Sequence, residues 1–185
     1  MKPHDAGWSA VREPHGGATV RISVDTAAAE DAAPIAALQT RVADDLTRRY
    51  GPGHWSAPVT ESSVARAIAT SRVIVARDGE VVAGTLRLVT KKPWAIDPAY
   101  FVHVRRPLYL LSMAVDPSRQ RNGIGRMLLS VAAVVARAWP ADAIRLDAYD
   151  SEAGAGPFYS KCGYREVGRV SYRAVPLVYY EMLLS

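Results

Sequence analysis

Residues 109–129, YLLSMAVDPSRQRNGIGRMLL, constrain the fold of this chain more than any other stretch. Residues 109–115 are an apolar run broken only by Ser112, the pattern of a strand covered on both faces. Asp116-Pro117 ends it, because proline brings no N–H to a ladder. After the turn, Ile124, Leu128, Val131, Ala132, Val135 and Trp139 recur at helical spacing and mark one buried face, until Pro140 stops the run. Between strand and helix lies Gln120-Arg121-Asn122-Gly123-Ile124-Gly125, whose two glycines allow a sharp turn and a close approach to a ligand. The free N–H groups of the helix's first turn point to one place, where the helix dipole also favours an anion. With Arg119, Arg121 and Arg126 around it, this is a phosphate cradle. It is neither a P-loop, which needs Gly-Lys-Ser/Thr, nor the G-x-G-x-x-G turn of a dinucleotide fold.

The rest of the chain supplies a sheet for that strand. Residues 19–24 alternate like a first strand, and residues 31–50 read as a helix with Ile35, Leu38, Val42 and Leu46 on one face and Pro34 in its first turn. A second short helix is expected over 61–71, with Thr60 as its cap. Residues 72–77 and 80–90 form a hairpin around Asp78-Gly79. A long connection, 91–107, leads into the apolar run. Later come a strand over 144–149, a short helix near 157–161, and two strands over 165–173 and 175–184 joined by a tight turn. The order β-α-α-β-β-β-α-β-α-β-β predicts an α/β chain with a mixed sheet and helices on both faces.

Composition narrows the partners. A chain of 185 residues reads as one domain over 19–185, behind a Pro-, Gly- and His-containing leader over 1–18 that is expected to be mobile. No apolar run reaches the ~18 residues of a membrane helix, and the N-terminus lacks the apolar core of a secretory signal. A cytoplasmic location and no membrane partner are therefore expected. The single Cys162 has no internal disulfide partner and reads as a packed thiol. His4, His15, His54 and His103 are scattered, so no metal site is expected. The net charge of +5 is spread along the chain without a basic run or a nucleic-acid signature, which argues against a nucleic-acid partner and suits an anionic ligand.

Gln120-x-x-Gly123-x-Gly125 after a buried strand resembles the acetyl-CoA pyrophosphate loop of the GCN5-related N-acetyltransferases, the GNAT family. Phe158-Tyr159-Ser160-Lys161-Cys162-Gly163-Tyr164 resembles that family's late Phe/Leu-Tyr-x-x-x-Gly-Phe/Tyr segment, one strand after the loop helix. The element order agrees, so the resemblance covers roughly residues 19–184. It implies the acyl-CoA N-acyltransferase fold, acetyl-CoA as co-substrate and transfer of its acetyl group to an amine. Carried onto this chain, Gln120, Arg121, Asn122, Gly123, Ile124, Gly125 and Arg126 would hold the pyrophosphate. Met113, Ala114 and Val115 would pair with the pantetheine arm and offer a backbone N–H to the developing oxyanion. Phe158 would lie on the cofactor, and Tyr159 would protonate the leaving thiolate, or else only pack against the cofactor. One departure stands out. Relatives often carry Asn seven residues before the tyrosine, where this chain has Glu152, so the short helix is expected to start later, with Pro157 in its first turn.

For the proton on the amine, Asp147, Asp150, Glu181 and His103 are all candidate bases, and the sequence singles out none. The acceptor side falls to residues 50–58 and 94–103, where His54, Trp55, Trp94, Tyr100 and Phe101 either line a site for a flat or cationic amine or merely pin two loops. The expected partner is a small-molecule amine. A protein or peptide acetyltransferase and a non-catalytic CoA-binding module are the alternatives. The closing strands, with Tyr172, Tyr179 and Tyr180, offer a surface through which two copies could pair as a homodimer.

Overall fold

The computed structural model describes residues 22–184; the leader at 1–18 and the start of the first expected strand, 19–21, lie outside the described residues. Seven strands form one sheet: β1 (Ile22–Thr26), β2 (Arg72–Asp78), β3 (Val81–Val89), β4 (Pro107–Val115), β5 (Ala143–Tyr149), β6 (Arg165–Tyr172) and β7 (Val175–Leu183). Their spatial order is β1-β2-β3-β4-β5-β7-β6, and only β4 and β5 run parallel. The helices are α1 (Ala32–Tyr50), α2 (Glu61–Thr70), α3 (Ile124–Ala138) and α4 (Gly156–Lys161). The expected order of elements is thus found, with ends displaced by a few residues. Local chemistry explains those ends. The Thr60 hydroxyl accepts the Ser63 N–H at 3.2 Å to start α2, and Pro157 opens α4.

The alternation of β2 divides the core. Val73 and Val75 face α1 and α2, packing with Ile35, Leu38 and Val64, whereas Ile74 and Ala76 face α3, packing with Leu86, Leu128 and Ala132. Following the register across the sheet puts Arg87, Tyr109, Leu111, Arg145, Asp147, Tyr149, Tyr179 and Glu181 on the α1 face. Among the described residues no helix covers the β5–β7 end of that face. Residues 91–106 cover it instead, with Ile96 and Phe101 packed on Tyr109 and Tyr179.

A buried ion pair holds this cover down. Arg145 Nε donates to Glu181 Oε1 at 3.0 Å, and both side chains are almost fully enclosed. The second Glu181 oxygen takes the Val102 N–H at 3.4 Å and lies 3.6 Å from Arg165. Arg145 also donates to the Val102 carbonyl and lies 4.8 Å from the centre of the Phe101 ring. Tyr179 adds a hydroxyl bond to the Ala95 carbonyl and accepts the Asp97 N–H at 3.2 Å. The long connection is therefore a strapped element. Tyr179 is buried under the strap and Tyr180 in the α3-side core on the opposite face of β7, 2% and 3% exposed; of the three tyrosines of the closing strands only Tyr172, on the edge strand β6, is not buried. Replacing Glu181 by Ala strands the Arg145 charge in the core, and chemical denaturation should show a loss of about 3–5 kcal/mol.

Candidate functional site

The parallel ladder between β4 and β5 is short. It joins Pro107 to Ala143, Leu108 to Ile144 and Tyr109 to Arg145, then ends. Beyond that point β5 stays paired with β7 as far as Tyr149, and β4 stays with β3 as far as Val115, so the two strands part. A bulge sharpens the divergence: Arg87 and Thr85 of β3 face Leu111 and Ala114 of β4, two steps against three. The extra residue is accommodated at Ser112, which has φ 53°, and its carbonyl accepts from Gln39 Nε2 of α1 at 3.5 Å. On the side away from β3, Met113, Ala114 and Val115 therefore have no neighbouring strand among the described residues.

At the end of that edge, Asp116 ties the turn together. It accepts from the Ser118 N–H at 3.0 Å, from Ser118 Oγ at 2.6 Å and from Arg41 Nη2 at 3.0 Å, while its own N–H bonds the Ala83 carbonyl at 2.9 Å. Burial pushes its carboxyl up, but Ser118 and Arg41 outweigh that and hold it below the usual carboxylate range. Gln120 Nε2 folds back onto the Val115 carbonyl at 3.3 Å. Gly123 then takes φ 82° as the residue before α3, and the first helical bond runs from the Met127 N–H to its carbonyl at 3.0 Å. The amides of Ile124, Gly125 and Arg126 have no acceptor in the helix and no capping side chain. Arg121 and Arg126 are exposed with no ion pair among the described residues, whereas Arg119 is held by Asp78 at 3.2 Å. The cradle is open, and its free charge comes from two of the three expected arginines.

The two glycines act for different reasons. A Cβ on Gly123 would meet nothing within 4 Å, so it is the left-handed backbone that requires glycine there. On Gly125 it would lie 2.9 Å from the Phe158 ring and 3.3 Å from Met113, so the absence of a side chain lets α4 close against α3 and β4. Tyr159, one residue on, is 7% exposed and packs against Phe158, Tyr164 and Tyr180. Its hydroxyl donates to the Met113 sulfur at 3.6 Å. Burial first, then the Asp147 charge, push its phenol well above the ordinary range. Burial also raises the neighbouring Cys162 thiol, offset in part by Arg126, so this half-buried cysteine is a packing thiol.

On the α1 face the four candidate bases separate. Glu181 is consumed by Arg145, and Asp150 by Arg169 at 2.7 Å. His103 is exposed on the strap. Asp147 is half-buried beside the parting strands with no ion pair among the described residues, and burial raises its pKa. Of the aromatic residues, Trp55 packs edge-on against Tyr149 at 5.1 Å and walls this side of the gap. Phe101 stacks on Tyr179 and Tyr100 meets it edge-on, so these two pin the strap; Trp94 is 85% exposed and His54 is also exposed. An open groove of about 710 Å³ between residues 92–100 and β6 takes in Trp94 and Tyr100, yet neither Asp147, Tyr159 nor any of residues 110–126 lines it. Sequence reasoning missed Tyr149 and Arg87. The signal for Arg87 was a charge between Leu86 and Leu88 in a strand that the hairpin carries into the core. Among the described residues no group of three His, Cys, Asp or Glu is placed to hold a metal, and no helix is long and apolar enough to cross a membrane.

A sheet parted between two parallel strands, with unbonded helix amides and free arginines at the mouth, suits an acyltransferase whose donor is a CoA thioester. The comparisons agree. The Acetyltransferase (GNAT) domain family matches residues 69–166, more than half of the chain, and the chain belongs to that family of acetyl-CoA-dependent N-acetyltransferases. Solved structures of the same fold include an N-acetyltransferase from Staphylococcus aureus Mu50, 20% identical over 89% of this chain and 99% of its own, with a TM-score of 0.69. The Salmonella typhimurium protein yncA, solved with its cofactor acetyl-CoA, is 19% identical over 89% of this chain and 94% of its own, with a TM-score of 0.67. A ribosomal-protein-alanine N-acetyltransferase from Brucella melitensis is 18% identical over 87% and 99%, with a TM-score of 0.69. No curated protein matches the chain. Changing Gly123 to Val should lower acetyl-CoA affinity about tenfold or more in calorimetry, because a branched residue resists the left-handed backbone; unchanged affinity in a variant with native circular dichroism would remove the cradle from this turn.

Proposed function

We propose that this acetyltransferase moves the acetyl group of acetyl-CoA directly to the primary amine of a small molecule, both substrates being bound at once. The observation that carries this reading is the pair flanking the gap: Asp147, a carboxylate without an ion-pair partner, on the α1 face and the protonated phenol of Tyr159 on the α3 face. Residues 121–126 hold the donor's phosphates through the free amides of α3 and through Arg121 and Arg126. Gln120 supports the turn through Val115. Phe158 and Met113 border the donor, and the unpaired edge at Met113, Ala114 and Val115 offers backbone N–H groups to its amides and to the carbonyl as negative charge develops there.

The chemistry then divides between the faces. The acceptor arrives as an ammonium ion, and Asp147 takes one proton to free the nitrogen lone pair, later releasing it to solvent. The N–C bond forms as the C–S bond breaks, Tyr159 gives its proton to the departing sulfur, and the second amine proton restores the phenol. Trp55 and Tyr149 wall the acceptor side and the strap is pinned to the sheet, which supports a small acceptor over a polypeptide laid along an open cleft. That some structural neighbours act on ribosomal proteins makes peptides the necessary control.

Two substitutions test the assignment with thiol release as the readout. Tyr159→Phe should lower kcat about tenfold to thousandfold with little change in acetyl-CoA affinity. Asp147→Asn should lower kcat/KM for the amine by about a hundredfold or more, again with acetyl-CoA still bound. An Asn variant as fast as the parent, with acetyl transfer shown to limit the rate, would return Asp147 to the solvated surface.

A further inference from the structure

Four arginines among the described residues are not exposed: Arg77, Arg87, Arg119 and Arg145. Three have a carboxylate against them, Arg77 with Asp31, Arg119 with Asp78 and Arg145 with Glu181. Arg87 has none. Its Nε is closed off from solvent and has no hydrogen-bond acceptor, and burial lowers the pKa of the guanidinium with no anion to offset it. A cation held half-buried and unpaired in a sheet is a costly arrangement unless an anion arrives from outside.

The register shows where that anion would sit. Arg87 lies on the α1 face of β3, opposite Leu111 of β4. Val73 beside it belongs to the cluster under α1 and α2, and Val89 and Tyr109 on its other side belong with the cluster under the strap, so Arg87 occupies the seam between them. On β5, Tyr109 is level with Arg145, which brings Asp147, two residues further along a parallel strand, level with Leu111 and onto the same face. Arg87 and Asp147 therefore flank Leu111 from either side. Across three strands at ~4.8 Å spacing their Cα atoms are about 10 Å apart, and further where β5 swings away. Neither has an ion-pair partner among the described residues. Trp55, whose indole N–H is also buried without an acceptor, stands beside Tyr149 on the same face.

We propose that Arg87 and Asp147 form the two ends of a zwitterion site, Arg87 binding the carboxylate of the acceptor and Asp147 its ammonium group, so that the acceptor class is a free amino acid. This rests on the acetyl-transfer reading above and names the substrate class for that site. Bidentate recognition of a carboxylate is the role a planar guanidinium fills better than an ammonium does. An amine and a carboxylate separated by a few bonds match the gap; a carboxylate-free amine would satisfy Asp147 and leave Arg87 stranded.

The test uses the full chain, acetyl-CoA and thiol release, with free amino acids set beside their amides and their decarboxylated amines. The expected result is turnover of one or more free amino acids with kcat/KM at least about tenfold above the matched amide. Arg87→Gln should raise KM for that amino acid by about tenfold to a hundredfold and bring the acid-to-amide ratio towards one, with acetyl-CoA affinity unaltered by calorimetry. Arg87→Lys, which keeps the charge and loses the fork, should recover part of the ratio. Equal use of acids and amides overturns the proposal, as does an Arg87→Gln variant that keeps the wild-type ratio, or acetyl-CoA binding without turnover of any free amino acid. Failure of the underlying acetyl-transfer reading looks different: no acetyl-CoA binding at all, or only hydrolysis that no amine accelerates.

Discussion

Backbone N–H and C=O groups inside a protein need partners, and along one edge of β4, past Tyr109, no strand supplies them. That unpaired edge is the constraint around which the rest is arranged. It persists because β7 claims the whole of β5, pairing Ala143 through Tyr149, and draws it away from β4. The bulge at Ser112 fits the same geometry from the other side, since it breaks the β3 register where the strands diverge. Each unmet backbone group costs about 1–3 kcal/mol if left dry. A gap of this kind is therefore held open for water or for a ligand able to bond like a strand.

Holding it open requires stiff surroundings, and two polar knots provide them. On the donor side, Asp116 gathers Ser118 and Arg41 and so fixes the exit of β4 to both α1 and the glycine turn. On the acceptor side, Arg145 and Glu181 bind the strap to β5 and β7. Both knots satisfy nearly every polar atom they bury, the condition under which buried charge adds definition without leaving an orphan. Arg87 differs because nothing among the described residues completes it.

The parts of the fold legible in the sequence were those set by local pattern. The apolar run at 109–115, the helix from Ile124, the Asp78-Gly79 hairpin and the late start of α4 at Gly156 all follow from periodicity, proline or glycine. What was not legible depends on meetings between distant residues. Glu181 and Asp147 are both carboxylates on strands, and nothing local distinguishes them; Arg145, 36 positions from Glu181, pairs with that one, and Asp147 has no ion pair among the described residues. The aromatics of 94–103 looked like a substrate lining, yet Phe101 is drawn to Tyr179 and the Arg145 guanidinium because those are the surfaces the strap must cover. The motif at 120–125 was readable as a glycine turn into a helix, but not why each glycine stands in it, since the Gly125 contact involves Phe158, an element away.

Burial, a single physical cause, acts on both Asp147 and Tyr159, to which the proposed reaction gives opposite roles. It disfavours the charged form of each, so both pKa values rise. For a phenol that starts near ~10, the rise means that the hydroxyl still carries its proton at neutral pH. For a carboxylate that starts near ~3.9, the same rise makes a better proton acceptor, while an approaching ammonium ion favours the ionised form. The Asp147 charge also pushes the Tyr159 phenol further up. The two residues stand on opposite faces of the sheet, so in the proposed reaction the first amine proton leaves on the α1 face while the sulfur is protonated from the α3 face.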